Sequence, residues 1–300
     1  MFAMAPELLS TRYVCPVRDP RFVRAVCDPT APLQAGDQLL HEDLSHVQGG
    51  DRVDRIEKRI REASGTHLRE LVTGHAGSGK STELIRLVAE LRKPKAAQCF
   101  HVVYLDADEY LSPWDLRLPQ VIVAILAALV KEPRVDLEKT EGAKPLLQRL
   151  RKIAKMLGDD VAGKIDKIAG LPLFAATLKV SSELSNQFRD EALRHRQELI
   201  DHTRSLILEV RGQLPAEVLD LVFVIDNLEK IPEQEVGGGG SLHDVLFTRD
   251  LPALDLPAHL VLTYPISLNY TSPELARAFR GGSRTTSPMV SVGLPPQAGP

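Results

Sequence analysis

The sequence predicts an α/β protein: a three-layer sandwich with a mainly parallel five-stranded sheet and a helical insertion. Short apolar segments alternate along the chain with segments of helical periodicity, which is the pattern of strands linked by helices. Within these apolar segments polar residues do not alternate with apolar ones, as is typical of parallel strands buried on both faces. A length of 300 residues suits one large α/β domain with appendages, or two small domains.

Composition argues against several classes of protein. The chain has 37 Lys and Arg residues against 40 Asp and Glu residues, so no overall positive field indicates a nucleic-acid partner. Its three cysteines are scattered, which is typical of a reducing compartment and argues against a disulfide framework or a zinc site. Residues 1–9 lack the basic start of a signal peptide, and the most apolar run, 118–130, is too short to span a bilayer. We therefore expect a cytoplasmic protein with no membrane partner.

The N-terminal part divides into an arm and the start of a larger core. Residues 1–48 are punctuated by prolines, and we interpret them as an arm lying on the core, which we assign to residues 49–293. Asp51 is a candidate helix N-cap. The helix predicted after it carries Val53 and Ile56 on one face.

The most informative stretch runs from Gly74 to Ser81. It fits the phosphate-binding pattern G-x-x-x-x-G-K-[ST] at every fixed position. A short buried strand is predicted before it, at 68–73, and an amphipathic helix after it, at 81–92. Because this pattern needs a strand–loop–helix context, we predict a nucleotide-binding site here.

Each residue type in this stretch has a physical reason. Glycines allow backbone conformations in which successive N–H groups turn inward on a phosphate, and the following helix adds its N-terminal donors. Lys80 would reach the β- and γ-phosphates, and the Ser81 hydroxyl would be a ligand of Mg²⁺. The predicted nucleotide cradle consists of nine residues: Gly74, His75, Ala76, Gly77, Ser78, Gly79, Lys80, Ser81 and Thr82.

The middle of the chain is predicted to hold a second strand and then mostly helix. The strand, 99–105, is followed by acidic residues at 106, 108 and 109. These lie at the ligand-binding edge of a parallel sheet, although helix caps and solvated loop charges explain them equally well. The insertion at about 110–215 contains a buried helix at 118–130, a weaker helical region broken by glycines, and one long amphipathic helix at 188–214.

The last third of the chain supplies the remaining strands. Residues 221–226 form a continuous apolar run that ends in Asp226; after a phosphate-binding loop, such a strand is expected to deliver an Asp that holds Mg²⁺. We expect this strand to lie directly beside the 68–73 strand. A fourth strand is predicted at 259–264 and a short fifth at 288–293, whereas the Gly237–Gly240 loop and the 294–300 tail are predicted to be flexible.

Three stretches together resemble the P-loop ATPases of the AAA/STAND type, with an Orc/NACHT-like core. They are 73–84, 224–230 and 262–266, and the resemblance covers about residues 47–293. It implies that Lys80 and Ser81 are the Walker A pair and that Asp226 is the Walker B metal residue. It also implies that the arm lies near the adenine.

The same resemblance implies two further roles. Glu229 would orient the attacking water, and Thr263 would be the polar sensor of the γ-phosphate. Asn227 departs from the family, which places a Glu directly after the Walker B Asp. The lid and winged-helix domains of the family are also missing, so we expect either a fragment of a longer protein or a stripped core.

We therefore expect an ATP-binding protein, and an ATP hydrolase that is slow and depends on Mg²⁺. Its nucleotide state would control self-association or a protein effector. The sequence contains neither the N-K-x-D motif of guanine-specific proteins nor the L-S-G-G-Q signature of transporter ATPases. The alternative is a nucleotide-binding adaptor module that does not hydrolyse ATP, which Asn227 and the missing lid favour; Glu229 and the complete loop favour the hydrolase.

Overall fold

The computed structural model describes residues 51–287, apart from 64, 113–115, 133–134, 136, 237–239, 273 and 280–281. The predicted arm at 1–48, the predicted strand at 288–293 and the predicted tail at 294–300 therefore lie outside the described residues. The same holds for most of the predicted glycine loop at 237–240.

Five parallel strands form the central sheet, as the sequence predicts. They are β1 (Arg69–Gly74), β2 (Cys99–Asp106), β3 (Val218–Asp226), β4 (His259–Thr263) and β5 (Gly282–Ser287). Their order across the sheet is β2-β3-β4-β1-β5, and every pairing is parallel. All five carboxyl ends therefore lie at one edge of the sheet, where α/β proteins place their ligands.

The expectation that the strand before the glycine-rich loop lies directly beside the strand of Asp226 is wrong. Strand β4 lies between them: its Thr263 pairs with Val72 of β1, and its Leu262 pairs with Ile225 of β3. All three strands are continuous apolar runs, so the local pattern predicts that each is buried but not which neighbour it takes.

The fifth strand of the described sheet is one that the sequence analysis does not predict. It is Gly282–Ser287, a polar segment, and it comes directly before the predicted strand at 288–293, which stays a prediction. Among the described strands, β5 pairs only with β1 and is an edge strand of the sheet. Its polar side chains have partners: Thr285 donates to the buried Glu70 carboxylate at 2.6 Å. Edge strands are commonly polar, which is why hydrophobic patterning does not find this one.

Both faces of the sheet are covered, an arrangement compatible with a three-layer sandwich. Alternate strand residues enter two separate cores; for example, Leu71 and Phe223 lie in one, and Val72 and Val224 in the other. The smaller core packs under helices α1 (Arg52–Glu62) and α2 (Lys80–Arg92). The larger core packs under the helices that follow β2 and β3.

Helix α1 begins where the sequence predicts. The Asp51 side chain accepts a hydrogen bond from the Asp54 N–H at 3.1 Å, which is the standard N-cap interaction. The buried face of the helix carries Val53, Ile56 and Ile60, all packed over the sheet. Since α1 contacts α2, it supports the helix that follows the glycine-rich loop.

Between β2 and β3 the chain is mainly helical. After a short helix (Ala107–Tyr110), the insertion consists of α3 (Leu118–Val130), α4 (Ala143–Leu157), α5 (Asp159–Gly163), α6 (Leu171–Val180), α7 (Ser182–Arg194) and α8 (Arg196–Gly212). Four glycines mark helix ends as expected: Gly142, Gly158, Gly163 and Gly170. None of the helices among the described residues combines the length and apolar character needed to cross a bilayer.

The prediction of one long helix over 188–214 is wrong, because α7 and α8 are separate. The chain leaves helical geometry at His195, whose φ and ψ are −111° and 22°. The break brings Arg196 to within 3.5 Å of the fully buried carboxylate of Asp250. Hydrophobic spacing continues across the break, so only the tertiary contact distinguishes two helices from one.

After β3 comes a short 3₁₀ turn (Leu228–Lys230) and then helix α9, which begins at Leu242 and ends at Leu254. The section Val245–Asp250 of α9 is π-helical. Two short helices, Leu268–Thr271 and Leu275–Ala278, connect β4 to β5. The start of α9 and the exit of β4 both reach the carboxyl edge of the sheet.

Candidate functional site

A cleft of about 750 Å³ opens at the carboxyl edge of the sheet. One wall is the glycine-rich loop and the start of α2, where Gly74–Gly77 and Gly79–Thr82 line the cleft. The opposite wall comes from three other segments: the exit of β3, the start of α9 and the exit of β4. The residues of these segments that line the cleft are Asn227, Glu229, Lys230, His243, Pro265, Ile266 and Ser267.

Backbone geometry explains two glycines of the loop. Gly77 and Gly79 have φ values of +77° and +80°, which side chains with a Cβ rarely adopt. Gly79 is also the residue from which α2 starts. The loop therefore turns into the helix through conformations that only this spacing of glycines allows.

Gly74 has a different reason: close approach to the edge strand. A Cβ at Gly74 would lie 2.5 Å from the Ser287 carbonyl oxygen. The Ser287 hydroxyl donates to the Ser78 carbonyl of the loop at 3.0 Å and accepts from the Arg52 guanidinium at 3.0 Å. Strand β5 and helix α1 thus hold the loop from behind.

Lys80 is buried and folded back against its own loop. Its Nζ donates to the carbonyl oxygens of Gly74 and His75, both at 3.1 Å. It also forms an ion pair with Glu229 Oε1 at 3.0 Å. The side chain is only 6% exposed, so the predicted phosphate-binding cation and the predicted water-orienting acid contact each other directly.

Asp226 ends β3 beneath the floor of the cleft and is fully buried. Its carboxylate accepts hydrogen bonds from the Tyr104 hydroxyl at 2.9 Å and from the Asn227 N–H at 2.7 Å. Burial raises the pKa of Asp226, and the Ser81 hydroxyl opposes that rise. The two residues predicted to bind metal, Ser81 and Asp226, therefore lie near each other.

Tyr104 was not among the predicted site residues. It lies in β2, and burial together with the Asp226 carboxylate raises the pKa of its hydroxyl, so the hydroxyl stays protonated and donates to Asp226. The sequence gives no signal for this, because Tyr104 is simply one residue of an apolar strand. Only the pairing of β2 with β3 brings the two side chains together.

Asn227, directly after β3, has a structural role. Its backbone is left-handed, with φ 64° and ψ 13°, a conformation that Asn adopts far more readily than most residues. Its side-chain amide donates to Asp106 Oδ1 at 2.8 Å. The resulting sharp turn leads the chain directly into the 3₁₀ turn that carries Glu229.

Glu229 projects from that turn toward Lys80. One carboxylate oxygen, Oε1, is held by Lys80. The other, Oε2, is buried and has no hydrogen-bond partner among the described residues. A buried carboxylate oxygen without a donor is costly, and this makes Oε2 a candidate contact for a bound molecule that can donate a hydrogen bond.

Thr263 is fully buried below the cleft. Its Oγ1 accepts a hydrogen bond from the Leu228 N–H at 3.0 Å, so it supports the turn that carries Glu229. The sensor role implied for Thr263 stays a prediction, and the observed contact connects the end of β4 to that turn.

The acidic residues after β2 have local partners. Asp106 caps the short helix Ala107–Tyr110 through the Asp108 N–H at 2.9 Å, and Asp108 pairs with Lys230 at 2.7 Å. Glu109 pairs with Lys131 at 2.5 Å. These contacts favour the capping and ion-pair interpretation over ligand binding.

The fit to a magnesium ion can be judged from the donor set. Among the described residues no cluster of three or more His, Cys, Asp or Glu side chains could hold a metal ion. Mg²⁺ in phosphate-binding enzymes uses one or two carboxylates, water and the phosphates of the substrate. The Ser81 hydroxyl and the Asp226 carboxylate, near each other beside the glycine-rich loop, match that smaller requirement.

His243 lies in the wall of the cleft and, like Tyr104, was not predicted from the sequence. The residue is 4% exposed, its Nε2 lies 2.7 Å from the Ile231 carbonyl oxygen, and its Nδ1 has no partner among the described residues. A lone histidine at the start of a helix carries no motif, so no signal in the sequence points to it.

No protein-family model, curated protein or solved structure matches this chain, so the function has to be argued from the fold and the cleft.

Proposed function

We propose that the protein is a P-loop NTPase that binds ATP with Mg²⁺ in this cleft and hydrolyses it slowly. The observation that carries the proposal is the ion pair between Lys80 Nζ and Glu229 Oε1 at 3.0 Å. It joins the glycine-rich loop to the turn that directly follows Asp226, two motifs far apart in the sequence. A glycine turn that merely resembled the pattern by chance would have no reason to face this turn.

The charges of the cleft suit a triphosphate. ATP brings about four negative charges at neutral pH, which need positive charge and N–H donors to offset them. The loop supplies backbone donors, the N-terminus of the 13-residue helix α2 supplies a favourable dipole, and Lys80 supplies a full positive charge. A bound Mg²⁺ would neutralise further phosphate charge, with Ser81 and Asp226 as its protein ligands.

In hydrolysis, Glu229 accepts a hydrogen bond from the attacking water and orients it. The water oxygen forms a bond to the γ-phosphorus while the bond from that phosphorus to the β–γ bridging oxygen breaks. ADP and inorganic phosphate leave, and the proton of the water passes by way of the Glu229 carboxylate to phosphate. Lys80 must first leave Glu229 to reach the phosphates, and we propose that this exchange keeps the rate low and makes the site a switch.

The switch would act through self-association or through a protein effector. A change at Glu229 moves the turn that packs on Thr263, and this turn is followed by α9. The buried Asp250 of α9 contacts Arg117, directly before α3, at 2.8 Å and Arg196, the first residue of α8, at 3.5 Å. The helical insertion is therefore connected to the cleft by one helix.

The second candidate function is an adaptor that binds nucleotide without turnover. Asn227 favours it, because its amide donates to Asp106 and no carboxylate stands directly after Asp226. In an adaptor, the ion pair between Lys80 and Glu229 would exchange for nucleotide, but Glu229 would not activate water.

The test is nucleotide binding and phosphate release with wild type and Lys80→Ala. Lys80→Ala removes the full positive charge of the loop, and we expect affinity for ATP to fall beyond detection. Lys58→Ala is the matched control, since Lys58 is 69% exposed on α1. We expect wild type and the control to bind ATP and to release phosphate.

The outcomes separate the candidates. Binding with phosphate release supports the hydrolase, and binding without release supports the adaptor. If wild type does not bind ATP with Mg²⁺, or if Lys80→Ala binds as well as wild type, the proposed function is wrong.

A further inference from the structure

Tyr104 contacts the proposed metal site but has no role in the function proposed so far. Its hydroxyl donates to Asp226 Oδ2 at 2.9 Å. Its ring packs against the smaller core, where the ring of a phenylalanine would serve equally well. The packing of strand β2 therefore accounts for an aromatic ring at this position, whereas only the contact with Asp226 accounts for the hydroxyl.

Asp226 holds its carboxylate in a fully buried position without a cation beside it. It forms no ion pair within the described part of the chain, and the charged side chain that acts on it is another carboxylate, Glu229. Buried charges in proteins are normally paired or bind metal ions. Neutral donors hold Asp226 instead, so its negative charge is left for a cation that arrives with the nucleotide.

Two of these donors come from different segments and fix the orientation of the carboxylate. The Asn227 N–H donates to Oδ1 at 2.7 Å, and the Tyr104 hydroxyl donates to Oδ2. With a single donor the carboxylate could turn about the bond that joins it to Cβ, whereas one donor on each oxygen holds its plane. Each oxygen keeps a second lone pair, so the directions open to a metal ion are fixed as well.

We propose that Tyr104 is a positioning residue, which holds the Asp226 carboxylate in the orientation that binds Mg²⁺ together with the nucleotide. The inference rests on the proposed function, although it needs only the binding of nucleotide and metal and not hydrolysis. Removing a hydrogen-bond partner of a metal ligand typically costs about 10- to 100-fold in metal affinity. Tyr104 is such a partner of Asp226.

Three variants separate this role from a structural one. Tyr104→Phe removes the hydroxyl and keeps the ring in the smaller core. Replacing Tyr104 by para-aminophenylalanine returns an N–H donor to the same place. Tyr264→Phe is the matched control, because it also removes the hydroxyl of a buried tyrosine, one that donates to Asn269 Oδ1 at 2.7 Å. Thermal melts without nucleotide establish that each variant is folded before it is titrated.

The first measurement is the gain in ATP affinity that Mg²⁺ provides, taken as the Kd without metal divided by the Kd with saturating Mg²⁺. We expect this gain to be about tenfold or more smaller in Tyr104→Phe than in wild type, while the Kd without metal stays unchanged. The para-aminophenylalanine variant should recover most of the gain, and Tyr264→Phe should show the gain of wild type. A merely structural role of Tyr104 predicts instead an equal loss with and without metal.

The second measurement follows the metal directly. Mn²⁺ is the probe, because it takes the same oxygen ligands as Mg²⁺ and its free and bound forms are distinguished by EPR spectroscopy. In the presence of ADP, Tyr104→Phe should bind Mn²⁺ about tenfold more weakly than wild type. In an Asp226→Asn background the same substitution should have no further effect, because Tyr104 acts through the Asp226 carboxylate.

The outcomes distinguish the inference from the proposed function. If wild type binds no nucleotide, the proposed function fails and the inference fails with it. If wild type binds ATP but gains nothing from Mg²⁺, the metal role of Asp226 and the inference fail together. If wild type shows the gain and Tyr104→Phe keeps it, or loses affinity equally without metal, only the inference is wrong. A further loss of Mn²⁺ affinity in the Asp226→Asn background would also refute the inference alone.

Discussion

Replacing Glu229 by Gln should make the protein bind ATP more tightly while it stops hydrolysing it. In the structure Lys80 Nζ is held by Glu229 Oε1 at 3.0 Å and by two loop carbonyls at 3.1 Å. Under the proposed function, ATP would gain the Lys80 charge only after this ion pair opens. The negative charge of the Glu229 carboxylate would also oppose the approach of the phosphates to Lys80. The substitution removes both obstacles and keeps the shape of the side chain.

The size of the effect follows from the contact. A hydrogen bond between charged groups contributes about 1.5–3 kcal/mol, and a neutral one about 1 kcal/mol. The Gln amide oxygen can still accept from Lys80, so the substitution weakens the competing contact by about 0.5–2 kcal/mol. This corresponds to a Kd for ATP that is roughly 2- to 30-fold lower. Hydrolysis should fall by about 10²- to 10⁴-fold, the usual contribution of a positioned base.

Isothermal titration with ATP and Mg²⁺ measures the affinity, and phosphate release measures the turnover. The matched control is Glu274→Gln, which makes the same chemical change in an exposed ion pair with Arg277; its side chain is 74% exposed. We expect the control to behave as wild type in both assays. An unchanged or weaker affinity of Glu229→Gln would refute the idea that Glu229 competes for Lys80. A wild-type rate of hydrolysis would refute its role at the attacking water.

Three more predictions test the site and the fold. Asp226→Asn should remove the gain in ATP affinity that Mg²⁺ provides and leave metal-free binding unchanged; an equal loss without metal in titrations would make Asp226 structural. Gly74→Ala should lower the free energy of unfolding by about 1–3 kcal/mol and weaken ATP binding, because its Cβ would lie 2.5 Å from the Ser287 carbonyl oxygen. Thermal melts measure the loss, and Gly163→Ala is the control that should show none, because nothing lies within 4 Å of a Cβ there. Burial lowers the pKa of His259 to about 4, so in acid the imidazole of the unfolded chain binds its proton before that of the folded protein. The free energy of unfolding should therefore fall by at most about 3 kcal/mol as the pH drops from 6.5 to about 4. Urea titrations of His259→Asn should show a flatter acid limb, and a limb as steep as that of wild type would contradict this.

Local chemistry made part of the site predictable. The glycine-rich stretch 74–81 could be found because its backbone needs glycine at fixed positions, as the positive φ values of Gly77 and Gly79 show. Asp226 could be found because it ends a run of apolar residues. Both signals lie within a few neighbouring positions. The four strands predicted within the described residues and the helix after the loop agree with the observed ones to within a few residues.

The edge strand β5 and the helix break were missed for a common reason: polar contacts define them. Strand β5 is held by side chains such as Thr285, which donates to Glu70. The break at His195 brings Arg196 to the buried Asp250. Hydrophobic spacing carries no information about such pairs, because each partner comes from a distant part of the chain.

Asn227 shows how a departure from a motif gains meaning only in three dimensions. From the sequence it is a missing carboxylate, and it counts against hydrolysis. In the structure it is a left-handed residue that turns the chain so that Glu229 meets Lys80. Under the proposed function, the residue to test for a role in hydrolysis is therefore Glu229 and not Asn227.

By itself the sequence determined the parallel α/β class, the strand-loop-helix unit around Lys80 and the carboxylate at the end of β3, because each depends on short-range periodicity or on the backbone demands of glycine. Only the tertiary structure decided that β4 separates β1 from β3, that Tyr104 donates to the Asp226 carboxylate and that His243 lies in the wall of the cleft. Strand order and side-chain partners depend on how distant segments pack, and many orders bury the same apolar runs equally well. Whether a strand is buried can therefore be predicted from its own residues, whereas the strand beside it can be identified only in the folded structure.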